Sequence, residues 1–377
     1  MKILVLSNCQ LVEYQGSGYV IVNTIRCLER LGHDVDALSP DTLTILPKLK
    51  RTANLYRMAL GMAWWVLKNR DEVKKYNLIF LYGGEGFVAL YVLKKILKIN
   101  IPVILHSNGL EYHVKAKLEE FKEYLTNKKR KWYHFDFESL FKYTYEHVDA
   151  ILTVSKYDAD YAIDIIGIDN TRVFYIEPAL PEVYFNNDIS VSKKNVITFC
   201  GSWTDRKGID AMIVALPDIL RKYPNYKFRI IGAGKAFDPA KIFPMNVLQD
   251  IELIPFVEIK EELMYLYKES LIFIHPSVCE SFGLTVAEAM FCGCAVITGS
   301  TGIAANLVHN KEAIILEQPN ADNLFTSLQQ LINDRDLIDK LALNGKLRAE
   351  ELRWVHFQEK LKIFLKAVTS YAPYKDY

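Results

Sequence analysis

Along the whole chain, short apolar runs bounded by turn residues alternate with longer stretches of helical period. That alternation fits a parallel sheet whose strands are joined by crossover helices packed on its faces. The runs fall into two sets: residues 3–6, 78–82, 103–106 and 150–154, then 196–200, 228–231, 252–255, 272–275, 295–298 and 313–316. Between the sets, residues 178–194 carry Pro178, Pro181 and an Asn pair, lose their periodicity and read as an exposed hinge. A long helical pattern over 321–368, interrupted near Arg353 and Trp354, closes the chain. The expected fold class is α/β, with two Rossmann-like domains, parallel sheets facing across a cleft. The first covers 1–185 together with a returning C-terminal helix at 355–377, and the second covers 190–354.

A chain of 377 residues suits two such domains, and the cleft between them is the default place for a ligand. Formal charge is only +1, with 24% charged and 50% hydrophobic residues, so there is no electrostatic footprint for nucleic acid. None of the six cysteines forms a C-x-x-C pair, which favours reduced, buried thiols and a cytoplasmic setting. The first apolar run is too short for a signal peptide and reads as a strand. The longest apolar stretch, 58–67, is about half of the roughly 20 residues a membrane-spanning helix needs.

The stretch from His275 to Gly293 reads as a strand end, a tight loop and a helix stopped by glycine. Ser281 fits an N-cap, which puts Glu280 at the helix mouth. The amides of Phe282, Gly283, Leu284 and Thr285 then form an anion site suited to phosphate. Glu288 follows eight residues later, roughly 10–12 Å along a helix axis, a spacing that suits the two sugars flanking a diphosphate. A carboxylate offers two acceptor oxygens and can bridge a vicinal diol.

This pattern resembles the E-x7-E signature of the family-four retaining glycosyltransferases of the GT-B fold, glycosyltransferase group 1, and the resemblance spans nearly the whole chain. It implies that Glu280 contacts the donor sugar, that Glu288 binds the ribose and that the amides of Leu284 and Thr285 meet the diphosphate. A second matching element is 201–208, where Lys207 and then Arg206 would offset the charge of a departing nucleotide diphosphate. Ser202 stands where many relatives carry a further Arg. A third is Gly16-Ser17-Gly18, with Gly18 as the expected diphosphate contact. A fourth is 103–111, where His106 or Asn108 takes the place of an acceptor-side His, with Glu111 a lesser candidate. By position, Gly232-Ala233-Gly234 and Val257 fall near the nucleotide.

The resemblance implies transfer of a hexose from a nucleotide sugar, UDP-glucose first, to a glycan or lipid-linked acceptor, with retention and without metal or other cofactor. The D-x-D patterns at Asp34–Asp36 and Asp158–Asp160 are set aside as metal sites, because they fall beside a strand and inside a helix start. Residues 48–76 hold eight Lys or Arg against two acids around Trp64 and Trp65. They suit either a peripheral membrane contact or a solvated helix with a buried Trp pair. Residues 115–146 read the same way. The rival readings are a nucleotide-sugar epimerase or hydrolase, a silent sugar-binding subunit, and an NAD-dependent oxidoreductase. The last is disfavoured because neither glycine turn extends to G-x-G-x-x-G.

Overall fold

A computed structural model of the chain describes residues 1–45, 54–125, 138–186 and 190–370. Among these, one sheet contains β1 (Lys2–Leu6), β2 (Asp34–Leu38), β3 (Leu78–Tyr82), β4 (Val103–Ser107), β5 (Ala150–Thr153) and β6 (Val173–Tyr175). The second contains β7 (Lys194–Cys200), β8 (Lys227–Ile231), β9 (Ile251–Ile254), β10 (Ser270–His275), β11 (Ala295–Gly299) and β12 (Ile314–Leu316). Their orders are β2-β1-β3-β4-β5-β6 and β12-β11-β10-β7-β8-β9. Every pairing is parallel. Central strands such as β3, β4 and β10 are buried along their whole length, and for that reason they read as continuous apolar runs rather than alternating ones.

Among the described residues, one unit comprises 1–113, 138–178 and 355–370, and the other 114–125 and 179–354. In the first, the core gathers Leu4, Leu6, Ile79, Leu81 and Leu105 from the sheet with Met58, Met62 and Val66 from the helix Asn54–Lys68. The last helix, Trp354–Ser370, belongs to this unit from Val355 onward, and its Phe364 packs on Phe80 and Phe174. In the second, Ile197, Phe228, Ile272 and Ile297 pack against the helices Ile209–Lys222 and Ala321–Asn333. The long C-terminal helical pattern breaks twice, at the Asp334 cap as well as before Trp354.

All six cysteines are free thiols. The carboxylates of the D-x-D patterns have other partners: Asp36 accepts from Tyr76 at 2.6 Å, Asp158 meets His113 at 2.8 Å and Asp160 meets Lys156 at 2.6 Å. Among the described residues, no helix is long and apolar enough to cross a membrane. Parts of the two basic aromatic segments, 46–53 and 126–137, lie outside the described residues.

Candidate active site

In the second sheet the chain runs outward from β7 through β8 to β9, then returns to β10 on the other side of β7. The segments leaving the carboxyl ends of β7 and β10 therefore diverge and open a crevice, the place where open α/β sheets bind ligands. Both expected donor elements, 201–208 and 276–285, start at that crevice.

After β7 the chain makes a 3-10 turn, Asp205–Lys207, and reverses at Gly208 to enter the helix Ile209–Lys222. Gly208 holds φ at +72°, and a Cβ there would lie 1.8 Å from the Pro276 carbonyl oxygen. Only glycine allows this approach. The two loops are then stitched by Val278 N–H to the Arg206 carbonyl at 2.9 Å and by Ser277 Oγ to the same carbonyl at 2.9 Å.

This stitching gathers four groups on one oxygen of Glu280. Lys207 Nζ lies 2.5 Å from Glu280 Oε1, Ser277 Oγ is at 2.8 Å, its one proton shared between this oxygen and the Arg206 carbonyl, His275 Nε2 is at 3.3 Å and Arg206 Nη1 at 3.8 Å. Thr301 fixes the backbone as well, its Oγ1 accepting from Glu280 N–H at 2.8 Å and donating to the Glu280 carbonyl at 3.0 Å. Among the described residues Oε2 carries no hydrogen bond. The carboxylate is thus held by one oxygen and presents the other.

Burial pushes the Glu280 carboxyl upward, but Lys207, His275 and Arg206 outweigh it and hold it well below the usual carboxylate range. Glu280 is an anion at neutral pH, suited to accepting hydrogen bonds and unsuited to acid catalysis. Burial and then Lys207 drive His275 below its ordinary value, so its imidazole is neutral. The ring stacks between Phe199 and Phe273.

The helix starts later than the Ser281 cap expected from sequence. The helix is Leu284–Phe291 and its N-cap is Gly283, in the left-handed region at φ +90°, not Ser281. Glu280 stands in the loop before the helix, so a helical rise does not measure its separation from Glu288. The first helical amides, Leu284 and Thr285, still have no preceding helical carbonyl and carry the positive end of the dipole. Phe282 and Gly283 are buried beneath them, the Phe282 carbonyl accepting from Ile303 N–H at 2.7 Å. Glu288 lies in the helix and is buried, with Oε1 on Lys260 Nζ at 3.0 Å and Oε2 at 3.5 Å from the Tyr267 hydroxyl. Val257 is half-buried in the loop after β9, and Gly234 N–H donates to Pro255 of that loop at 3.3 Å.

The first unit places its own residues at the carboxyl edge of its sheet. Gly18 lies in the first turn of the helix Gly16–Arg30, and a Cβ there would be 2.3 Å from the Val12 carbonyl oxygen, so the loop's own closure already requires glycine. Asn108 Nδ2 donates to the Ser17 carbonyl at 3.3 Å, and its Oδ1 is buried without a partner among the described residues. His106 is 3% exposed, its Nδ1 lies 2.8 Å from the Tyr82 hydroxyl, and burial lowers its pKa to about 3. Glu111 accepts from Gly84 N–H at 3.0 Å and from the Tyr145 hydroxyl.

Sequence reasoning did not single out His275, Ser277, Thr301, Lys260 or Tyr267 as site residues. His275 carried a usable signal, a polar residue ending an otherwise apolar strand. Thr301 reaches Glu280 from 21 positions away and left none.

Two family profiles align with the chain in succession: "Glycosyltransferase Family 4" over residues 14–181 and "Glycosyl transferases group 1" over 183–348. The chain belongs to the group 1 glycosyltransferases. An uncharacterised glycosyltransferase of Methanocaldococcus jannaschii is 28% identical over 216 residues, 57% of this chain and 58% of that protein. The match thus spans just over half of that relative's length. Sucrose-phosphate synthase from Thermosynechococcus elongatus superposes with a TM-score of 0.76 at 15% identity, over 98% of this chain and 99% of that one. Anabaena HepE in complex with UDP-glucose gives 0.68 at 14% identity, over 97% and 100%. At such identities the likeness is one of fold, and this group 1 glycosyltransferase shares the GT-B architecture with both.

Proposed function

We propose that this glycosyltransferase moves a hexose from a UDP-linked donor to a glycan or lipid-linked acceptor, with retention of configuration and without a metal. The observation that carries the reading is the Glu280 carboxylate, locked by Lys207, Ser277 and His275 through one oxygen beside the open amides of Leu284 and Thr285. Uridine and glucose are favoured by the fold neighbour solved with UDP-glucose.

In this reading the diphosphate lies on the Leu284 and Thr285 amides, while Arg206 and Lys207 offset the charge that grows as the bond to the leaving phosphate breaks. Glu280 Oε2 accepts hydroxyl protons of the hexose, and Glu288 takes the ribose once Lys260 yields one of its oxygens. The C1–O bond to phosphate breaks, the C1–O bond to the acceptor forms on the same face, and the acceptor proton passes to the departing phosphate oxygen. Asn108 Oδ1 is assigned an acceptor-side hydrogen bond. His106, neutral and held by Tyr82, positions the end of β4 rather than touching substrate.

The test is release of nucleoside diphosphate from a panel of UDP-, GDP- and ADP-hexoses with glycan and lipid-linked acceptors, with and without EDTA. The product anomer is read by proton NMR. EDTA-resistant turnover of UDP-glucose that gives the α-anomer and disappears in Glu280→Ala supports the reading. Turnover that needs a divalent ion, an inverted product or an active Glu280→Ala overturns it.

A further inference from the structure

The helix Asn54–Lys68 has two apolar faces where a surface helix needs one. Met58, Met62, Ala63 and Val66 enter the core of the first unit. Tyr56, Leu60, Trp64 and Leu67 do not: they are 36%, 49%, 62% and 36% exposed. At roughly 100° per residue these four fall within an arc of about 80°, one stripe along the solvent side. Trp65 is half-buried against the core while its neighbour Trp64 faces out, so the Trp pair is split between the two faces.

The surroundings of the stripe are cationic. Over residues 54–76 and 91–98, seven Lys or Arg stand against two acids, leaving out Arg57, which is buried and bonds the Ile45 carbonyl. The whole chain carries only +1, so positive charge is concentrated here. Lys68 and Arg70 follow the stripe directly. The helical segment 87–96, which packs on the helix Asn54–Lys68, adds exposed Tyr91 and Ile96 with exposed Lys95 and Lys98 beside them. Asp71 pairs with Lys74 and lies 4.0 Å from Arg70, Glu72 pairs with Lys75, and Asp149 pairs with Lys94 at 2.7 Å, so Lys68, Lys95 and Lys98 stand outside the ion pairs among the described residues.

We infer that the solvent face of the helix Asn54–Lys68 docks on an anionic lipid surface, with Leu60 and Trp64 inserted at the headgroup boundary and Lys68, Arg70, Lys95 and Lys98 on the phosphates. Trp and Tyr, apolar in body and polar at one edge, favour that boundary, and the cations match its sign. A second protein copy would meet the same positive charge and be repelled by it. The docking holds the enzyme at the surface where a lipid-linked acceptor resides, yet it stands apart from the donor assignment because binding is read without turnover.

The experiment is co-sedimentation of the full chain with vesicles of phosphatidylcholine alone or mixed with phosphatidylglycerol, at low and high salt. The variants are Leu60→Ser/Trp64→Ser and Lys95→Gln/Lys98→Gln, with thermal melts to establish folding. Wild type binding only the anionic vesicles, weakened by salt and by roughly tenfold or more in the apolar variant, is the expected result. A lesser loss in the charge variant is also expected. Three results overturn it: no anionic-vesicle binding by wild type, equal binding by a folded Leu60→Ser/Trp64→Ser variant, or light scattering that shows a dimer abolished by that variant.

Discussion

Removal of the Lys207 ammonium probes both the architecture and the chemistry of the crevice. The two side chains of the Lys207–Glu280 pair are each 11% exposed and their charged atoms lie 2.5 Å apart. At an effective dielectric constant of about 20 their attraction is about 7 kcal/mol, and desolvation of each ion costs several kcal/mol in return. The pair as a whole is therefore worth little net, but Lys207→Met strands a buried carboxylate and costs about 3–5 kcal/mol. Glu280→Gln leaves an uncharged amide still bonded to Ser277 and costs less. The double variant recovers part of the loss, a coupling of about 2 kcal/mol or more.

The depressed Glu280 carboxyl contributes stability above its unfolded value near 4.5 that is lost as pH falls through its lower folded value. Lys207→Met flattens that acid limb. Activity should fall about 10²–10³-fold in both single variants, because each removes charge placed for the transition state. The assay is denaturant unfolding at pH 4 and 7 for the four proteins, alongside donor turnover. Additive stabilities within about 0.5 kcal/mol, or turnover near wild type in Lys207→Met, refute the reasoning.

Glu280→Ala should abolish transfer and leave UDP affinity within about threefold, whereas Glu288→Ala should weaken UDP by about tenfold, one lost charged hydrogen bond; calorimetric titration with equal affinities in the two contradicts the assignment. Gly208→Ala combines a left-handed φ with a methyl 1.8 Å from the Pro276 carbonyl, so a loss of at least about 3 kcal/mol is expected, and an unchanged melting temperature refutes the close approach. Burial and then Glu111 push the Glu85 carboxyl up to about 7. A raised carboxyl contributes stability that is fully present below pH 4.5 and lost as pH rises through 7, so Glu85→Gln should lose less stability than wild type between pH 5 and 8. Parallel melting curves contradict this.

Ten of the twelve strands among the described residues are legible as apolar runs, because central parallel strands are buried on both faces and show no alternation to confuse the reading. β6, Val173–Tyr175, is missed because only Val173 is buried and Tyr175 is exposed, whereas the equally short β12 is buried throughout and shows as an apolar run. β2, with Asp34 and Asp36 along an edge, shows only as the neighbour of a carboxylate pair. In the crevice, Glu280, Lys207 and Arg206 are brought together as their loops imply. Ser281 misleads because cap preference is a local rule, while Gly283 is set by the Phe282–Ile303 hydrogen bond and so by tertiary packing. His106 is read as a polar strand end and is instead interior, its imidazole satisfied by Tyr82 from the neighbouring strand. Glu85, in the run Gly83-Gly84-Glu85-Gly86, gives no sign in sequence of its coupling to Glu111, 26 residues on. Partner identity across a sheet is a property of register, which composition and period do not encode.

The central claim is that a diphosphate sits on the Leu284 and Thr285 amides with Lys207 beside it and Glu280 on the hexose. A crystal structure of the chain soaked with UDP-glucose measures this directly. The account predicts phosphate oxygens within hydrogen-bond distance of those two amides and of Lys207 Nζ, and a hexose hydroxyl on Glu280 Oε2. A donor bound with its diphosphate away from the Leu284–Phe291 helix, or with Glu280 still bonded only to Lys207, Ser277 and His275, contradicts it.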